Sequence, residues 1–141
     1  MTTVTPEELA LRCSKTMWEK DKASQHLGIS IVTIRPGSAT LQMQVTEKML
    51  NGYAICHGGY IFALADSCFA FSCNTYNNIT VAQGCSIEYL KAVPVDSVLV
   101  ATGFERRRNK TTGVYDIEVR IEQELIALFR GKSFALGKPI F

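Results

Sequence analysis

One carboxylate, Asp66, stands inside an almost unbroken apolar run, Tyr60 to Cys73, within "LNGYAICHGGYIFALADSCFAFSCNTY" (50–76). His57, Gly58 and Gly59 come just before that run. The pattern predicts a helix over 57–76 with apolar side chains on every face, which is how a buried helix reads. Its three- and four-residue neighbours are Phe62, Ala63, Phe69 and Ala70, and no basic residue lies on the helix to pair with it. Burying an unpaired carboxylate is costly, and the usual response is a raised pKa or a specific polar partner. Two readings stay open here. Asp66 caps a neighbouring loop by accepting backbone N–H bonds, or it is a catalytic carboxylate facing a cleft.

The helix start favours the second reading. Gly58 and Gly59 leave first-turn amides unobstructed, and N–H groups at a helix N-terminus bind anions. Each glycine costs roughly 1 kcal/mol of helix propensity, so something is expected to approach the backbone closely there. Such amides can hold a carbonyl oxygen that gains negative charge during acyl transfer. Gly58 and Asp66 are eight residues apart, about 12 Å along a helix axis. If the two cooperate on one carbonyl, they must come from different subunits across a two-fold interface.

Other chemistries fit poorly. Cys56 and His57 are adjacent, which rarely gives the geometry of an activated nucleophile. The chain has two histidines, and no zinc-ligand spacing joins His26, His57, Cys68 and Cys73. His57 is expected to order the loop at the helix start. Five cysteines form no disulfide framework, so Cys13, Cys68, Cys73 and Cys85 read as small buried hydrophobes in a reducing cytoplasm.

These residues need a scaffold. A chain of 141 residues, 47% apolar and 20% charged, is expected to form one domain over 1–141 with an ordinary core. A net charge of +2 gives no reason to expect a nucleic-acid partner. No apolar run is long and uncharged enough to span a membrane, and "MTTVTPEELALRCSK" lacks the pattern of a secretory signal. Thr5-Pro6-Glu7-Glu8 opens an N-terminal helix with a capping box, and Leu9, Cys13, Met17 and Trp18 carry it to about Ser24. Residues 29–35 and 39–45 alternate around Pro36-Gly37-Ser38, which predicts a hairpin. The connection from Thr46 to Cys56 is long enough to be a functional loop. Four further strands are expected at 79–90, 96–108, 113–122 and 124–134. Helix, two strands, helix, four strands without βαβ alternation is an α+β order: a mostly antiparallel sheet covering one long helix.

With that order in place, "MLNGYAICHGGYIFALADSCFAFSCN", "TGVYDIEV" and "ALFRGKS" resemble the hotdog-fold acyl-CoA thioesterases. The similarity is nearest to their phenylacetyl-CoA thioesterase (PaaI) branch and runs from about Trp18 to Gly137. It implies a curved antiparallel sheet of five to six strands wrapped around the long helix. It also implies a homodimer as the minimal catalytic unit, usually doubled to a homotetramer, and an acyl-CoA substrate. Asp66 would be the catalytic carboxylate, as nucleophile or as general base. Gly58, supported by His57 and Gly59, would polarise the carbonyl across the dimer interface, and Asn51 would position the thioester or the water. No metal or other cofactor is implied.

Arg106, Arg107, Arg108 and Lys110, with Arg130 and Lys132, would meet CoA phosphates or else form solvated turns. Tyr53, Tyr60, Phe62 and Phe69 would line an acyl pocket or act as core. Where some related enzymes carry a hydroxyl beside the site, this chain offers Val81-Ala82-Gln83-Gly84. Two alternatives share the fold: a non-catalytic acyl-CoA-binding module, and an enoyl-CoA hydratase or dehydratase. The combination of Asn51, Gly58 and Asp66 argues against the first. The nine-residue gap between His57 and Asp66 argues against the second.

Overall fold

The structure, a computed structural model, describes residues 3–141. Met1 and Thr2, which begin the segment read above for a secretory signal, lie outside them. The elements run α1 (Pro6–Lys20), α2 (Lys22–His26), β1 (Ser30–Arg35), β2 (Ser38–Gln44), a 3-10 turn (Glu47–Met49), α3 (Gly58–Cys73), β3 (Thr80–Tyr89), β4 (Val98–Arg108), β5 (Thr112–Ile121) and β6 (Glu124–Ala135). The expected capping box is present. Thr5 Oγ1 accepts the Glu8 N–H at 3.1 Å, and Glu8 Oε2 accepts the Thr5 N–H at 3.0 Å. The first helix stops at Lys20 rather than near Ser24. Asp21 leaves the helical backbone and caps α2, accepting the Ser24 N–H at 2.9 Å and its hydroxyl at 2.7 Å.

The six strands form one antiparallel sheet in the order β1-β2-β4-β5-β6-β3. This is the α+β hotdog architecture, with α3 laid along the inner face of the sheet. Ile61, Leu64, Ala65, Cys68, Phe69 and Phe71 of α3 are buried against Leu41, Met43, Leu99, Ile117, Val119 and Phe129. The helix comes so close that a Cβ on Gly131 would lie 2.6 Å from the Phe69 ring. Phe69 in turn packs on Tyr115 and Phe129, with ring centroids 5.8 Å away in each case.

Two expectations about α3 change. It ends at Cys73, three residues early, because Asn74 takes over. The Asn74 side chain donates to the Ala70 and Thr80 carbonyls, both at 2.9 Å, and accepts the Thr80 N–H at 2.8 Å. Nor is the helix buried on every side. Phe62, Asp66 and Ala70, spaced four residues apart, form a stripe that this chain's own sheet covers only in part. The neighbouring strand β3 is the edge of the sheet, and eight of its ten residues are exposed. Cys85 is therefore exposed rather than buried, while Cys13, Cys56, Cys68 and Cys73 are buried. No helix among the described residues is long and apolar enough to cross a membrane.

Candidate active site

The loop between β2 and α3 is tied down at both ends. The His57 N–H donates to the Met49 carbonyl and the Cys56 N–H to the Val93 carbonyl, each at 2.8 Å. Asn51 organises what lies between. Its Oδ1 accepts the Tyr53 N–H at 2.9 Å and the Ile55 N–H at 3.3 Å, an Asx-type turn. Ala54 takes up a left-handed conformation here, with φ at 59°, a strained setting for a residue with a Cβ.

His57 is the N-cap of α3. Its Nδ1 accepts the Gly59 N–H at 3.0 Å, so the ring proton belongs on Nε2. The Tyr60 N–H goes to the His57 carbonyl at 3.0 Å. The two glycine amides are thus not equivalent, contrary to the expectation that both are open. Gly59's is spent on His57, and Gly58's has no acceptor among the described residues. Gly58 and Asn51 line one cleft of about 380 Å³, with Ile55, Ile61, Tyr89 and Val93 on its walls.

Asp66 lies two turns further along α3 and not in that cleft. It is half-buried and makes no hydrogen bond or ion pair among the described residues, so the loop-capping reading finds no support. Burial alone pushes its carboxyl above the ordinary range, with no charge or hydrogen bond to offset it. Burial raises the Cys85 and Cys73 thiols, and the charge of Asp66 adds to that rise. Within one chain the structure brings Asn51, His57, Gly58 and Gly59 together and leaves Asp66 apart.

The basic residues divide into two groups. Arg106 Nε lies 2.8 Å from Asp116 Oδ2, and Arg130 meets the same carboxylate with two bonds at 2.6 and 2.9 Å. Those bonds hold Asp116 down at about 2. Arg108 stacks 3.5 Å over the Tyr76 ring and pairs with Glu105. Arg107, Lys110 and Lys132 are exposed and make no ion pair among the described residues. Arg107 and Lys132 flank Val114 on neighbouring strands. Of the aromatic candidates, Phe69 is core and Phe62 packs edge-on against Phe129 at 5.4 Å. Tyr60 stands edge-on to His57, and Tyr53 is 88% exposed, so it serves neither as core nor as a pocket wall in the single chain. Among the described residues no three His, Cys, Asp or Glu side chains converge as a metal site.

One participant escapes sequence reasoning. Tyr89 on β3 donates its hydroxyl to the Gly58 carbonyl at 2.9 Å. Nothing local in "SIEYLK" marks that contact.

A six-stranded antiparallel sheet laid over one long helix defines a hotdog protein, and among the described residues that helix carries a Gly58 amide and an Asp66 carboxylate without hydrogen-bond partners. The chain belongs to the thioesterase superfamily, whose family model matches residues 53–127. It is 45% identical over 125 residues to the acyl-coenzyme A thioesterase PaaI of Escherichia coli, covering 88% of this chain and 89% of that protein. The solved structure of the E. coli PaaI protein superposes with a TM-score of 0.93 at 40% identity, over 96% of this chain and 99% of that one. A thioesterase protein of Streptococcus pneumoniae, solved with coenzyme A, gives a TM-score of 0.75 at 28% identity, over 79% of this chain and 90% of that one.

Proposed function

We propose that this chain hydrolyses acyl-CoA thioesters to the free acid and CoA, with phenylacetyl-CoA or a related aromatic acyl-CoA as substrate. The site forms between two protomers of a homodimer. The thioester carbonyl accepts the Gly58 N–H of one protomer, and Asp66 of the other acts at its carbon. As general base, Asp66 takes a proton from the attacking water; as nucleophile, it forms an anhydride that water then opens. In both routes the C–S bond breaks, and the CoA thiolate leaves and picks up a proton. Water is the only co-reactant. Asn51, in the cleft with Gly58, orients the thioester or the water.

One observation carries this reading. The Gly58 amide and the Asp66 carboxylate lie on one helix without partners among the described residues, and the cleft that Gly58 lines does not include Asp66, so each is open to a complement from outside the chain. The exposed edge strand β3 and the open stripe of Phe62, Asp66 and Ala70 beside it supply a surface for that second protomer. Exposed Val98, Phe104 and Leu128 on the opposite face of the sheet favour a further pairing of dimers into a tetramer. Arg107, Lys110 and Lys132 remain for the CoA phosphates. The aromatic acyl group is favoured by the E. coli relative, whose structure is described as a protein of the phenylacetic acid degradation operon. The S. pneumoniae structure with coenzyme A favours the CoA moiety.

Subunit complementation tests the shared site. Gly58 is the first helical position, where proline is tolerated, and His57 before it already has φ −61° and ψ 133°. Gly58→Pro therefore removes the N–H while keeping the backbone of the first turn, its Cβ pressing on the Tyr89 ring at about 3.1 Å. Mixed with Asp66→Asn, it forms hybrid dimers carrying one intact site of two. With random assortment about a quarter of wild-type turnover returns. Failure of the mixture to recover any activity, with hybrids confirmed by mass spectrometry, would sink the shared site.

A further inference from the structure

The Gly58–Gly59 peptide is gripped at both polar ends by side chains. Its N–H, that of Gly59, goes to His57 Nδ1 at 3.0 Å, and its C=O, that of Gly58, receives the Tyr89 hydroxyl at 2.9 Å. The Tyr89 ring also fills the space over the Gly58 Cα. A Cβ there would come 3.1 Å from Tyr89 Cζ and 3.2 Å from its oxygen. Two adjacent glycines at a helix start are the most conformationally free pair the backbone allows. Without a grip, the direction of the Gly58 N–H would wander, and an oxyanion donor works only if it is fixed before charge develops.

We infer that Tyr89 is a positioning residue for the Gly58 amide, fixing the first turn of α3 where Gly58 lines the cleft. The inference rests on the thioesterase reading above. The effect is geometric rather than electronic, because the bonded carbonyl belongs to the peptide after the donor amide, not to the peptide that carries it. Tyr89 reaches this place from the edge strand, 31 residues away in sequence. It shares the wall of the cleft with Asn51 and Gly58.

The test is Tyr89→Phe, which keeps the ring and removes the hydroxyl. Because Tyr89 is 49% exposed, the variant keeps its fold, and a thermal melt beside the wild type verifies this. Removing an oxyanion-hole donor costs roughly 10²- to 10³-fold in kcat, so loosening one should cost less, on the order of 10-fold, with KM within about 2-fold. A loss confined to KM would mean that Tyr89 touches substrate instead, and an unchanged kcat would mean that it does nothing for the donor; either overturns the inference. Gly58→Ala keeps its N–H but pushes its methyl into the Tyr89 ring, so the Gly58→Ala/Tyr89→Phe double variant should lose less than the product of the two single losses. Fully multiplicative losses overturn the coupling. A second readout is independent of turnover. In ¹⁵N-glycine-labelled protein, Tyr89→Phe should shift the Gly58 and Gly59 amide signals and leave that of Gly28, at the far end of α2, in place. Unmoved Gly58 and Gly59 signals overturn the inference, whereas a wild type that hydrolyses no thioester overturns the proposed function alone.

Discussion

His57 Nδ1 accepts the Gly59 N–H at 3.0 Å, and this one bond decides which amide of the α3 first turn is free. A neutral ring with its proton on Nε2 is required, since a doubly protonated imidazole has no acceptor left.

His57→Ala removes the cap and should cost roughly 0.5–2 kcal/mol, a fall in Tm of about 3 °C per kcal/mol for a chain of this size. His57→Asn restores a side-chain acceptor and should recover most of the loss. Thermal melts at one fixed protein concentration decide it. Equal Tm values for the Ala and Asn variants would show that the ring, not the acceptor, matters.

Gly131 on β6 faces Phe69 so closely that an added Cβ would lie 2.6–2.7 Å from three of its ring atoms. Phe69 is 1% exposed and wedged against Tyr115 and Phe129, so the ring has nowhere to retreat. Gly131→Ala should therefore destabilise by roughly 1–3 kcal/mol through overpacking, despite improving strand propensity. The urea midpoint measures it. Gly84, with open space where its Cβ would be, is the control, and Gly84→Ala should change stability little.

Much of this architecture was legible in the sequence because it depends on local pattern. The capping box at Thr5, the hairpin around Gly37 and the antiparallel order follow from residues close together in the chain. So does the placement of Gly58 and Asp66 on one helix. What was not legible depends on tertiary register. Arg106 and Arg130 meet Asp116 only because a bulge between Glu105 and Arg107 sets the β4–β5 pairing, and β6 brings Arg130 opposite Asp116. Cys85 sits in a strand that reads as ordinary sheet, and only its position at the edge exposes it. Tyr89 reaches Gly58 by the same kind of long-range placement. Asn74 ends α3 early by binding Thr80, a partner that a helical pattern cannot reveal.

That register also separates the cations. Asp116 is held at about 2 by Arg130 and Arg106. A carboxyl lowered from 3.8 contributes stability above its unfolded pKa and loses it as pH falls from about 3.8 toward about 2. The arginine side chains are 63% and 52% exposed, so Asp116→Asn should cost less than about 1 kcal/mol at pH 7, with the difference shrinking below pH 4. On substrate the pattern should reverse. Arg107→Ala and Lys132→Ala should raise KM for an acyl-CoA by about 3- to 10-fold at low salt, with the effect fading as salt screens the phosphates. Arg106→Ala should leave KM nearly unchanged. Equal KM effects from all three variants would remove the distinction between paired and free cations.

Asp66 carries opposite consequences for activity and stability. In the proposed role of base or nucleophile it must be ionised, so Asp66→Asn should lower kcat by roughly 10²- to 10⁴-fold, measured as CoA release from phenylacetyl-CoA, the proposed substrate. The wild-type rate should rise with pH through a pKa above the usual carboxylate value, because burial disfavours the charge. The same shift works against the fold. A carboxyl whose folded pKa is raised binds a proton more tightly in the folded chain, so stability falls as pH rises from the unfolded value of 3.8 through the folded one. Above that window the ionised, unpaired Asp66 is a net cost to the chain, and the neutral amide of Asp66→Asn relieves it. The variant should therefore melt higher than the wild type at pH 7 to 8 and lose that advantage below pH 4. A variant that is inactive yet less stable at neutral pH would mean that Asp66 holds a stabilising partner across the subunit interface, and that the carboxylate is structural as well as reactive.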